Sequence, residues 1–125
     1  MQFVAITSLI WSSLALSPNA QAQDAAAAQE RLKSLVGTWS VTDEEGNKSE
    51  VTYETVASGS VVIETMHGMV TMYHLDGDTL LGTHYCSAGN QPRFRAVDFT
   101  DQNVIDFKFL DVSNAPADGS HILSV

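Results

Sequence analysis

Residues 67–93 read HGMVTMYHLDGDTLLGTHYCSAGNQPR, and this stretch decides the fold. Two runs of alternating character, 68–75 and 79–86, flank Asp76-Gly77-Asp78, the turn chemistry of a β-hairpin. Three of the four histidines, the single cysteine and Arg93 fall within this hairpin and the loop after it. Polar groups that ligate, titrate or donate seldom crowd onto strands that otherwise read as core. The candidate site is therefore placed here.

The hairpin has two registers. A two-residue loop at Gly77-Asp78 pairs His74 with Leu81 and sets His84 opposite Thr71, on the other sheet face. A three-residue loop, Asp76-Gly77-Asp78, pairs His74 with Leu80 and sets His84 opposite Val70, on the same face. There the two histidines lie four residues apart along the ladder, roughly 13 Å at the strand rise. Neither register lets them share a metal whose Zn–N bonds are about 2.0 Å.

Outward from the hairpin the period of two persists. Strands are expected at 38–42, 49–57, 60–66, 68–75, 79–86, 92–99 and 103–112. Their breaks fall at Glu45-Gly46-Asn47, Ser58-Gly59, Asp76-Gly77-Asp78 and Asp101-Gln102-Asn103. Val51, Tyr53 and Thr55 are expected to face inward, as are Val61, Ile63 and Thr65 against an outward Glu64. Ile105, Phe107 and Phe109 complete the core set. Seven or more short antiparallel strands around one core predict an all-β up-and-down barrel, because closure removes the exposed edges. The terminal HILSV, 121–125, reads either as a short closing strand or as the start of a natural C-terminal part missing from this chain. The second is the expectation.

Residues 24–36, DAAAAQERLKSLV, predict a short helix with Asp24 as N-cap, an apolar stripe of Leu32, Leu35 and Val36, and Gly37 just past its end. Before it, the apolar run Phe3–Leu16 followed by Pro18 and Ala20-Gln21-Ala22 has the form of a secretory signal cleaved after Ala22. The chain then divides into a signal peptide, 1–22, a helix, 23–36, and one β domain, 37–125. No membrane span would remain after cleavage.

The net charge is −9, with 15 acidic and six basic residues, and no charged residue lies in positions 1–22. Six cations cannot form a phosphate-tracking stripe, which excludes a nucleic-acid partner. One cysteine excludes an internal disulfide, so stability rests on packing, which 44% hydrophobic residues can supply.

RLKSLVGTWSV (31–41), a helix running into Gly37-x-Trp39, resembles the leading motif of the lipocalin-like (calycin) barrels. The block Tyr73-His74-Leu-Asp-Gly-Asp, Thr83-His84-Tyr85-Cys86 and Gly89-Asn90-Gln91-Pro92-Arg93 is similar to secreted bacterial proteins of that fold. The resemblance implies a barrel with a cavity, the Trp39 indole plugging one end, and no set reaction. Nitrobindin-like haem barrels are architectural relatives whose haem-ligating histidine has no matched position here, so no cofactor is assigned.

Tyr73, His74, His84, Tyr85, Asn90, Gln91 and Arg93 are the candidate ligand-binding residues, with methionines and phenylalanines as walls. Arg93 and Arg95 share a face with Val97 and Phe99. An inward arginine would anchor a carboxylate; outward ones would pair with surface acids. His84 and Cys86, two apart and roughly 7 Å between Cα atoms, are the weak candidates for a metal or an activated thiol, with His67 or His121 as further ligands. Glu64, His67 and Asp98 are isolated acid–base groups. The expected function is a secreted or periplasmic binding protein for a small, largely apolar molecule with a polar or anionic end. The alternative is a metal- or haem-associated barrel, or a hydrolase- or isomerase-like enzyme using His84 and Cys86.

Overall fold

A computed structural model describes residues 20–119, which form one helix and one seven-stranded antiparallel sheet. The expected signal segment up to residue 19 and the strand 121–125 lie outside the described residues. Helix α1 spans Ala20–Ser34. Strands β1 to β7 span Gly37–Thr42, Lys48–Val56, Val61–Met66, Met69–Asp76, Thr79–Tyr85, Gln91–Asp98 and Asp106–Ser113. Each strand pairs with its chain neighbour, in the order β1 to β7. Among the described residues the sheet is not closed by a β1–β7 ladder.

The helix begins before Asp24, so that residue lies inside it and is not its cap. Its buried stripe is Ala25, Ala28 and Leu32, at 0, 0 and 8% exposure, while Val36 is 52% exposed. The spacing i, i+3, i+7 keeps these on one side, and two methyl groups let the helix axis lie close against the strands. Gln29, also buried, donates from Nε2 to the Ser60 carbonyl at 2.7 Å and clasps helix to sheet. The last turn tightens through Leu35 N–H to Leu32 O (3.1 Å) and Val36 N–H to Lys33 O (3.2 Å). Gly37, at φ +133°, then swings the chain into β1. Trp39 does not plug the sheet: its indole N–H donates to Leu35 O at 2.6 Å and the side chain is 49% exposed.

Turn geometry sets the registers. His67 and Gly68, at φ 52° and 75°, form the two-residue loop between β3 and β4, both central positions positive as a type I′ turn requires. Gly77 and Asp78 form the loop between β4 and β5, which pairs His74 with Leu81 and Thr71 with His84. This is the two-residue alternative. One row therefore runs Tyr53–Glu64–Thr71–His84 across β2, β3, β4 and β5. Partners opposite one another share a face, so this row lies on the face that α1 covers.

The expected phase of β3 is corrected by this register. Val62 is fully buried and Glu64 faces inward beside Tyr53, which leaves Val61, Ile63 and Thr65 on the outer face. On β6, Pro92, Phe94 and Ala96 are buried and Arg93, Arg95 and Val97 exposed. The core joins Ala25, Ala28 and Leu32 to Val62, Tyr73, Leu80, Phe94, Ala96 and Phe107. Phe107 stacks obliquely on Tyr73 at 5.5 Å between ring centres.

Candidate functional site

Between the C-terminal end of α1 and the sheet lies an open cavity of about 410 Å³. Leu32, Leu35, Ile105 and Phe107 supply apolar lining from α1, the turn just after it, the β6–β7 loop and β7. Tyr53, Glu64 and Tyr73 supply a polar patch from three adjacent strands, and Arg31, Ser34, Gln102 and Asn103 complete the lining. The volume lies within the range that ordinary small-molecule sites occupy, roughly 300–1,000 Å³.

Strand geometry builds the polar patch. Tyr53 and Glu64 are direct register partners, and Tyr73 is one pleat beyond Thr71, the residue opposite Glu64. Both phenols reach the same carboxylate oxygen: Tyr53 Oη donates to Glu64 Oε2 at 2.8 Å and Tyr73 Oη at 3.2 Å. Burial drives both phenols well above the ordinary tyrosine range, and the Glu64 charge pushes the same way. They therefore remain donors at any physiological pH. A carboxylate taken from water needs such compensation, since an unpartnered buried charge is costly.

Tyr73 can lie flat because its register partner is Gly82. A Cβ at position 82 would meet the ring at 3.2 Å, so the missing side chain is the space the ring occupies.

His84 stands two strands from Glu64 in the same row, 7% exposed. Its Nδ1 shares a 2.9 Å hydrogen bond with Thr71 Oγ1, while Nε2 is buried without a partner. Burial lowers the imidazole pKa below its ordinary value, and the Glu64 charge opposes that shift in part. A neutral ring is the result.

Of the residues expected from sequence, the structure places Tyr73 in the cavity and His84 on the same face just beyond it. His74 pairs with Leu81 and Val61 on the outer face, and Tyr85 is 44% exposed at the end of β5. Asn90 is buried in the β5–β6 loop, where its carbonyl accepts from Cys86 N–H at 3.1 Å. Gln91 joins Gly89 O (3.1 Å) to Ser113 Oγ (3.0 Å). Arg93 does not point inward. It forms a bidentate pair with Asp111, Nε to Oδ1 at 2.6 Å and Nη2 to Oδ2, and both side chains are about half exposed. That pair holds the Asp111 carboxyl below the usual aspartate range. The arginine is thus the outward alternative, with its charge already matched.

Cys86 follows β5 in a loop and accepts from Ala88 N–H at 3.5 Å through Sγ. Among the described residues no group of three or more His, Cys, Asp or Glu gathers in a form that could hold a metal ion. His67 is an exposed turn residue, and His121 lies outside the described residues.

Sequence reasoning passed over Tyr53 as core and Glu64 as outward. The signal was available in His67-Gly68. Read as a two-residue type I′ loop, it sets Met66 opposite Met69, hence Glu64 opposite Thr71, and with the β4–β5 loop puts Glu64 and His84 in one row, which the β2–β3 register extends to Tyr53. Comparison with family models, with curated proteins and with solved structures finds no match for this chain.

Proposed function

We propose that the protein is an exported, lipocalin-like binding protein that holds a small, largely apolar molecule with one polar end in the cavity under α1. The carrying observation is that cavity: apolar side chains on one side, and on the other a carboxylate fixed by two phenols. A lipocalin-like arrangement is supported by the meander of chain-adjacent strands and by the helix that runs into Gly37-x-Trp39. Export is supported by the apolar run and Ala20-Gln21-Ala22 of the N-terminal segment. Tyr53, Glu64 and Tyr73 replace Arg93 as the polar anchor, since the guanidinium is on the outer face and paired.

The test is thermal denaturation of the protein with a panel of small amphiphiles, on wild type and on Ile105→Trp, which fills the cavity. A bound ligand at 100 times its Kd stabilises by about 2.7 kcal/mol, a shift of several degrees in a domain of this size. The midpoint of the wild type is expected to rise with at least one amphiphile and that of the filled variant to stay put. No rise across the panel, or an equal rise in the variant, overturns the proposal.

A further inference from the structure

We infer that the polar end of the molecule held in this cavity is an organic cation, a primary or secondary ammonium group, with Glu64 as its counter-ion. The inference rests on the binding reading above and adds the chemistry of the head group.

Glu64 lines the cavity, and both tyrosine hydroxyls spend their hydrogen bonds on Oε2. Oε1 receives neither of them. Among the described residues no ion pair joins Glu64 to a cation. The one arginine among these lining residues, Arg31, donates from Nη1 to the Asp101 carbonyl at 3.0 Å. A half-buried carboxylate with neutral donors on one oxygen and nothing on the other lacks what would best complete it, an N–H donor that carries positive charge.

Metal ions fit the same place poorly. A divalent cation takes several carboxylate or carbonyl oxygens, and here one carboxylate stands among phenols that keep their protons. An ammonium group needs one anion and neutral acceptors around it, and Glu64 with the phenol oxygens of Tyr53 and Tyr73 supplies both among the lining residues. Leu32, Leu35, Ile105 and Phe107 would take the alkyl or aryl body. The net charge of −9 raises the local concentration of cations and lowers that of carboxylates.

The experiment titrates octylamine, octanol and octanoate into the full chain and into Glu64→Gln by calorimetry at pH 7, with circular dichroism to confirm the variant's fold. Wild type is expected to bind octylamine about tenfold or more tighter than octanol, the ratio that one charge-assisted hydrogen bond supplies, and octanoate weakest. Glu64→Gln is expected to bring octylamine down to the level of octanol and leave octanol unchanged. Octanoate tighter than octylamine, or an amine-to-alcohol ratio near one in wild type, overturns the ammonium assignment and leaves the cavity reading standing. An unchanged ratio in Glu64→Gln does the same. If none of the three binds, both fail. The wild-type ratio decides the matter even where Glu64→Gln does not fold.

Discussion

Replacing Thr71 by valine isolates the cost of the polar pair at the centre of the inner face. Thr71 is 2% and His84 7% exposed, their bond is 2.9 Å, and Nε2 of the imidazole already lacks a partner. Valine keeps the shape of threonine but strands Nδ1 as well. A buried polar atom deprived of its partner costs about 1–3 kcal/mol, so Thr71→Val is expected to destabilise by about 2 kcal/mol. His84→Leu has opposed effects, stranding Thr71 Oγ1 while removing the unpartnered Nε2, and is expected to cost about 1 kcal/mol. The double variant removes both partners of the bond together and is expected within about 1 kcal/mol of wild type, a coupling of about 2 kcal/mol. Urea denaturation followed by circular dichroism measures all four corners of the cycle. A neutral Thr71→Val, or a double variant equal to the sum of the singles, would refute the reasoning.

Four further outcomes follow from the same structure. His84 titrates in the unfolded chain near 6.5 and only at lower pH when folded. The unfolded state therefore binds more protons in that window and stability falls as pH drops below about 6.5, with a slope of at most about 1.4 kcal/mol per unit. Thermal midpoints between pH 7 and 5 should decline less steeply in His84→Leu than in wild type. Gly82→Ala presses a methyl 3.2 Å from a Tyr73 ring tethered to Glu64, and a net loss of about 1 kcal/mol is expected; a raised midpoint contradicts it. Gln29→Ala removes the clasp to Ser60 and should cost about 1 kcal/mol, with faster amide exchange in α1 and none in the strands; uniform acceleration would deny the helix its separate docking. Arg93→Ala should leave the midpoint and amphiphile binding unchanged, because its pair with Asp111 is exposed; lost binding would return the site to the outer face of β6.

The strands were legible because turn residues punctuate them. The expected 38–42 and 79–86 became Gly37–Thr42 and Thr79–Tyr85, and only the last strand, 103–112 against Asp106–Ser113, started more than one residue late. There Asp101 gathers the backbone of Asn103 and Val104 into a turn that extends the loop. Faces were harder. On β3 the sets Val61/Ile63/Thr65 and Val62/Glu64/Met66 are equally apolar apart from one carboxylate, and reading that carboxylate as solvated chose the wrong phase. Nothing local tells that two phenols from other strands will satisfy it. On β6 the choice between Arg93/Arg95 and Phe94/Ala96 was left open, and the buried Phe94 closes it. The helix stripe was read in part: Leu32 is buried and Leu35 packs against the core, Val36 is exposed, and a search for large apolar residues looks past Ala25 and Ala28, which close approach selects. A cavity between a helix, a loop and a sheet belongs to no single segment, so no periodicity announces it.

The order of the strands has a consequence for how the molecule assembles. Every ladder joins neighbours in the chain, so the hairpins close through short loops and at low entropic cost. The contacts that seat α1 are of another kind: Gln29 reaches Ser60 across 31 positions and Arg31 reaches Asp101 across 70. Such separations favour hairpin growth before docking of the helix, and the cleft, lined jointly by α1, by β2 to β4 and by residues 102–107, is complete only once all of these have met.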